Sequence, residues 1–530
     1  MGERLRFSAS SSYYPFAWPA YFSVSAPAAA ESIANWPSMV APAFRSAILS
    51  VSKRRRLREF DPTPRLHEGL PIFEKTMQIS PLLFGLPLLL FSSQIAAAEE
   101  TTPSPQRGLQ LLLEKAYLPP AFDQETFDVV WQTWEEPLRS RAAGATKAER
   151  RRLAYHRYGL IERPGDPRHR PMQYVVDLQG NWTMNCLACH QGAVAGRLVP
   201  GTPNAQFALE TLTHEIRATK VRLRKPFTDL DLGSLVMPLG TTIGTTNAIM
   251  FGVGLMHYRD DDLNIIPRLA LPQLTHHDHD APPWWNVSRK TRLYADNFAP
   301  RGHRALMQFL ASKKNGPEKF REWEDDFRHV EAYIDSLASP QYGFEINTAL
   351  AKQGRAVFEL SCAECHGTYG TKSEYPERII PWDEVRTDPV RMRSISKEHR
   401  MSYQRNWINE YGSAGDVIAE PGGYLAPPLN GIWATSPYFH NGSVPTLWHV
   451  LRPKQRPTVW RRCDANGFDS ERVGLAVEEL KTVPRDVLHA AQRRHYLDTQ
   501  GVGKSSSGHT FPEVLTETER HAVLEYLKTL

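Results

Sequence analysis

The stretch TMNCLACH, residues 183 to 190, places two thiols and an imidazole within five positions, and LSCAECH, residues 360 to 366, repeats the spacing. The 530 residues contain five cysteines; four lie in these clusters and Cys463 stands apart. A disulfide between cysteines three apart is strained, and the spacing otherwise belongs to redox motifs of the thioredoxin kind. A zinc ribbon sets its two Cys-x-x-Cys knuckles about 15 to 20 residues apart, whereas 172 residues separate Cys189 from Cys362. Neither alternative explains a histidine that follows immediately both times.

Covalent haem does. Two thiols one helical turn apart can add to the two vinyl groups of a single porphyrin, and the next residue then carries its imidazole beneath the iron as the proximal ligand. With this composition the expected number of chance Cys-x-x-Cys-His matches is ~0.002, so two are not an accident. The sequence therefore predicts two covalently bound haem c groups. Haem 1 is expected on Cys186, Cys189 and His190, and haem 2 on Cys362, Cys365 and His366. The sixth position of each iron then decides function. A second strong ligand makes an electron-transfer centre, while an open position admits peroxide or dioxygen. For haem 2 the candidates are His440 in SPYFHNGSVPTL, His449 just beyond it, and His509 in the small-residue stretch KSSSGHTFPEVL. No histidine near the first cluster has a comparable setting.

These groups must be held by elements that the periodicity marks. Residues 347 to 367 read as a helix running straight into the second motif, with Leu350, Gly354, Val357, Phe358 and Cys362 on neighbouring turns. Residues 515 to 530 open on a Thr516 to Glu519 capping box and repeat apolar side chains at Ala522, Val523, Tyr526, Leu527 and Leu530. The two helices are expected to cross beside haem 2. A further amphipathic helix is expected from Leu209 to Lys225. Proline and glycine are scattered throughout, so the expected fold is mainly α. It consists of two cytochrome c-like haem domains, residues 99 to 339 and 340 to 530, with long irregular loops and little sheet.

The N-terminal region reads differently. Residues 1 to 76 show no sustained period and carry a basic run from Lys53 to Arg58, which suits an unstructured leader or an upstream start-site error. Residues 77 to 98 combine a short apolar run with a small-residue end, the pattern of a signal peptide. A periplasmic or secreted protein without a membrane span after cleavage is expected. The remaining 432 residues carry 53 Lys and Arg against 52 Asp and Glu, which gives no case for a nucleic-acid partner.

Four stretches sharpen the reading: NCLACHQGAVAGRLVPGTPN (185–204), LGTTIGTTNAIMFGVGLMHYRDDDLN (239–264), PPWWNVSRKTRLYADNF (282–298) and PPLNGIWATSPYFHNGSVPTLWHVLRP (427–453). Together they resemble the dihaem cytochromes related to rubber oxygenases, a branch of the bacterial dihaem cytochrome c peroxidase superfamily. The resemblance implies a catalytic N-terminal haem with a free or oxygen-occupied distal site, and a bis-histidine C-terminal haem that relays electrons. The family's second histidine lies in a glycine-histidine motif near the chain end, matched here by Gly508 and His509. The phenylalanine-histidine-aspartate-glycine motif of the wider peroxidases is matched by Phe439, His440, Asn441 and Gly442. The resemblance also makes Phe298 a distal wall of haem 1.

The expected function is a haem-dependent oxidoreductase of peroxidase or dioxygenase type. Its partners would be a small redox protein or other electron donor, together with peroxide, dioxygen or an organic substrate. The stretch from Trp284 through Trp285 to Phe298 is expected to wall the reactive face opposite His190, with Trp285 and Phe298 as catalytic candidates. A dihaem electron carrier with no chemistry of its own is the alternative. Arg301, His303 and Arg304 are candidate partners of haem propionates, and the run His276 to Asp280 is expected to be solvated.

Overall fold

Helices meet at two glycines. In a computed structural model that describes residues 102–268, 272–410, 415–463 and 467–530, the helix Thr348–Ser361 is capped by Asn347 and crosses the helix Glu517–Leu527. The contact centres on Gly354, where a Cβ would lie 1.8 Å from the carbonyl oxygen of Ala522. That approach is open only to glycine, and an alanine there would cost about 3 kcal/mol or more through forced separation of the helices. The expected Thr516 to Glu519 capping box starts the second helix. Phe358, Val523, Leu524, Tyr526 and Leu527 are buried in the cluster beneath.

The N-terminal half repeats the arrangement with different residues. The helix Pro105–Glu114 packs on the helix Glu324–Asp335, and a Cβ on Gly108 would lie 2.1 Å from the carbonyl oxygen of His329. Leu111, Leu112, Phe327, Val330, Tyr333 and Ile334 form one apolar cluster with Leu187 of the first motif. Between these helices the chain makes a small antiparallel sheet in which Asn181–Met184 lies between Phe122–Asp123 and Tyr174–Val176. The amphipathic helix expected from residue 209 runs from Leu209 to Leu223.

The described body is helix-rich, and its strands form only antiparallel sheets of two or three short members. No helix among the described residues is long and apolar enough to cross a membrane. The leader and signal segment assigned to residues 1 to 98 lie outside the described residues.

Candidate functional site

Strand Asn181–Met184 delivers the chain to the first motif, and Asn185 fixes the entry. Its side-chain amide donates to the carbonyls of Leu112 and Met172, and its oxygen accepts from the Leu187 amide. One helical turn, Leu187–His190, follows. From the other side Asn204 donates to the carbonyls of Gly159 and Ala188. Burial pushes the Cys186 and Cys189 thiols up to about 11 and about 12 and His190 down to about 4. The imidazole is therefore neutral, the form that binds a metal.

The second motif is entered from the helix Thr348–Ser361 and completes its turn at Ala363–His366. Burial raises the Cys362 thiol to about 11, raises Cys365, and lowers His366. The Tyr369 hydroxyl donates to the His366 carbonyl at 2.7 Å and accepts from the Leu429 amide, also at 2.7 Å.

The histidines of both motifs make the same hydrogen bond. His190 Nδ1 lies 3.1 Å from the carbonyl oxygen of Pro282, and His366 Nδ1 lies 2.9 Å from that of Pro427. Each acceptor is the first proline of an Ala-Pro-Pro sequence, at 281–283 and 426–428. Such a bond places the proton on Nδ1 and turns Nε2 outward as a ligand. The two acceptor segments are also tied to each other. Trp285 donates to the carbonyl of Asn430 at 2.8 Å, and the Asn286 amide donates to the carbonyls of Pro428 and Asn430. The recurring Ala-Pro-Pro was the available sequence signal for these acceptors.

The faces opposite differ. The His509 ring stands 6.2 Å from that of His366, centroid to centroid, at 61°. Two imidazoles bound to one metal at about 2 Å each place their centroids about 6 Å apart, so this pair fits an iron between them. Backbone constraint produces the approach. Gly508 and His509 both have positive φ, and a Cβ on Gly508 would lie 2.3 Å from the carbonyl carbon of Arg386. Arg456 holds the strap by donating to the carbonyls of Ser506 and Gly508 at 2.6 and 2.7 Å. His440 instead stacks on Tyr424 at 4.4 Å, and neighbouring Asn441 donates to the carbonyls of Gly503 and Ser505. His449 is fully buried between Thr446 and Glu479.

At His190 the packed ring is Trp284, stacked at 4.7 Å and 17°. Trp284 therefore lies against the flat of the His190 ring and not beyond its Nε2, so it does not form the wall expected opposite His190. Trp285 turns into the apolar cluster of the C-terminal motif. Phe298 belongs to the same cluster as Leu187, with Cys186 packed against it, and touches Tyr403 at 5.0 Å.

Two further expectations are corrected. Arg301 pairs with Asp335 and Glu331, His303 with Glu324, and Arg304 with Glu324 and Glu410, so carboxylates of the protein engage all three. The run His276 to Asp280 is not a solvated face: His277, Asp278 and His279 are buried. Strand pairing of His279–Asp280 with Thr245–Thr246 carries it inward, and Thr241 and Lys504 compensate Asp278.

Residues 423–461 match the RoxA-like, cytochrome c-like family. The match covers Pro427, His440 and Asn441, and a cytochrome c-like segment implies covalently bound haem c, which relates this chain to the rubber oxygenase-like cytochromes. A 177-residue stretch is 30% identical to the uncharacterized protein y4iM of Sinorhizobium fredii (strain NBRC 101917 / NGR234), covering 29% of this chain and 39% of that protein. A 247-residue stretch is 28% identical to the uncharacterized protein y4iJ of the same organism, covering 35% of this chain and 39% of that protein. The chain thus spans well under half the length of the curated relatives it matches.

Proposed function

We propose that this chain is an exported dihaem c-type cytochrome oxidoreductase. Haem 1, on Cys186, Cys189 and His190, reacts with peroxide or dioxygen. Haem 2, on Cys362, Cys365 and His366 with His509 opposite, relays electrons from a small redox protein or other donor. One observation carries the reading: of two imidazoles anchored alike, only His366 meets a second imidazole at ligand spacing among the described residues.

Haem held by Cys186, Cys189 and His190 would supply an iron able to react with peroxide or dioxygen. The protein's part is to hold that iron. Pro282 holds the proton of His190 on Nδ1, so Nε2 is presented to the iron. Phe298, packed with Tyr403 in the apolar cluster of the first motif, sets an apolar side chain on this side of the site. Trp284 against His190 and Trp285 bonded to Asn430 join the two proximal sides through adjacent indoles, a short route for electrons.

Cyanide titration of the purified protein, oxidised and half-reduced, tests the proposal. One haem should change its spectrum while the other keeps its low-spin bands. Binding at neither haem in either state would leave an electron carrier instead.

A further inference from the structure

A cavity of about 430 Å³ opens beside Phe298, with Ile249, Val253, Met256, Phe309 and Ile395 among its walls. Polar and charged side chains, His257, Glu398, His399 and Arg405 among them, also line it, and three of its polar residues lie deep. Gln308, Arg391 and Tyr403 all face the cavity and are 7%, 1% and 6% exposed. Gln308 Nε2, Arg391 Nη1 and the Tyr403 hydroxyl each lack a hydrogen-bond partner among the described residues. Buried donors are rarely left unmade, and three on one void call for an acceptor inside it.

Arg391 and Arg400 both donate to the single carboxylate of Asp296, at 2.9 and 2.8 Å, and all three side chains are at most 1% exposed. Two guanidinium groups share one carboxylate, so Arg391 keeps donor capacity that Asp296 does not use. A planar anion accepting from a guanidinium, an amide and a hydroxyl is a carboxylate.

We propose that this cavity binds an amphipathic carboxylate. Its head meets Gln308, Arg391 and Tyr403, and its hydrocarbon body lies along Ile249, Val253 and Phe309. An alkyl carboxylate is then the organic substrate class, a role that rests on Phe298 walling the reactive haem as proposed above; the binding itself does not. A haem propionate offers the same head group, and the resonance Raman spectrum of Tyr403→Phe distinguishes the two sources of that carboxylate.

Calorimetric titration of the dihaem holoprotein with decanoate and with decanol tests the site. Decanoate should bind saturably at one site and roughly tenfold tighter than decanol. Tyr403→Phe and Gln308→Leu, which nearly conserve volume, should each weaken decanoate while leaving decanol unchanged. Equal affinities, no binding, or indifference to both substitutions would overturn the proposal. So would a shift of haem-propionate bands in the resonance Raman spectrum of ligand-free Tyr403→Phe, which would assign the donors to the cofactor. Cyanide titration of the same sample separates the two readings: decanoate binding without cyanide binding keeps the site and removes the reaction.

Discussion

The surroundings of His190 and His366 are alike on one side and unlike on the other. Each lies near a helix crossing closed on a glycine, Gly108 and Gly354, and each donates from Nδ1 to the carbonyl of the first proline of an Ala-Pro-Pro segment. Opposite His366 stands His509, held by a left-handed strap and Arg456. Near the first motif the chain supplies Phe298, Tyr403 and a cavity with unpartnered donors. The comparison teaches that a shared scaffold fixes the histidine's hydrogen bond, while the two motifs differ in what stands opposite: an imidazole at one, apolar and aromatic side chains near the other.

The most drastic way to break the comparison is to remove one attachment site at a time. Cys186→Ser with Cys189→Ser, and separately Cys362→Ser with Cys365→Ser, should each leave one covalent haem of two, read by intact-protein mass. Two haems in either double variant would end the dihaem reading. A narrower change acts on the opposite wall alone. His509→Ala should convert one haem entirely from low to high spin and leave the other's spectrum intact, whereas His440→Ala should convert neither. The reverse pattern would move the ligand to His440.

The smallest effect concerns His277, in the segment leading to the first Ala-Pro-Pro. Burial, with Arg391 and His276 nearby, holds its imidazole down to about 4 against an ordinary 6.5. The unfolded chain takes up this proton near pH 6.5 and the folded chain only near 4. Stability is therefore full above 6.5 and falls between those values by about 1.4 kcal/mol per pH unit. His277→Gln should remove that share of the slope in urea unfolding at pH 7.5 and pH 5. An unchanged slope would show that His277 does not stay neutral in the folded chain.

The legible parts of the sequence were the local ones. Two thiols and a histidine on one turn, and apolar side chains every three or four residues before Cys362 and after Thr516, announce themselves within a dozen positions. Gly508 and His509 could be singled out because small residues around an imidazole mark a backbone free to bend. What stayed hidden depends on distant partners. Nothing local tells that Arg301 and Arg304 meet carboxylates of the helix Glu324–Asp335, or that Gln308, Arg391 and Tyr403 share a void. The run His276 to Asp280 looked solvated because its charge is local, whereas Lys504, which compensates it, is more than two hundred residues away.

The two proline carbonyls carry an evolutionary consequence. A hydrogen bond accepted by the main chain cannot be deleted by exchanging the side chain of the acceptor residue, and proline further narrows the conformations from which that oxygen could drift. Point mutation therefore has little direct purchase on the orientation of His190 or His366. Divergence among descendants of this scaffold would have to enter instead through residues such as His509, Arg456 and Phe298, whose contacts are made by their own side chains.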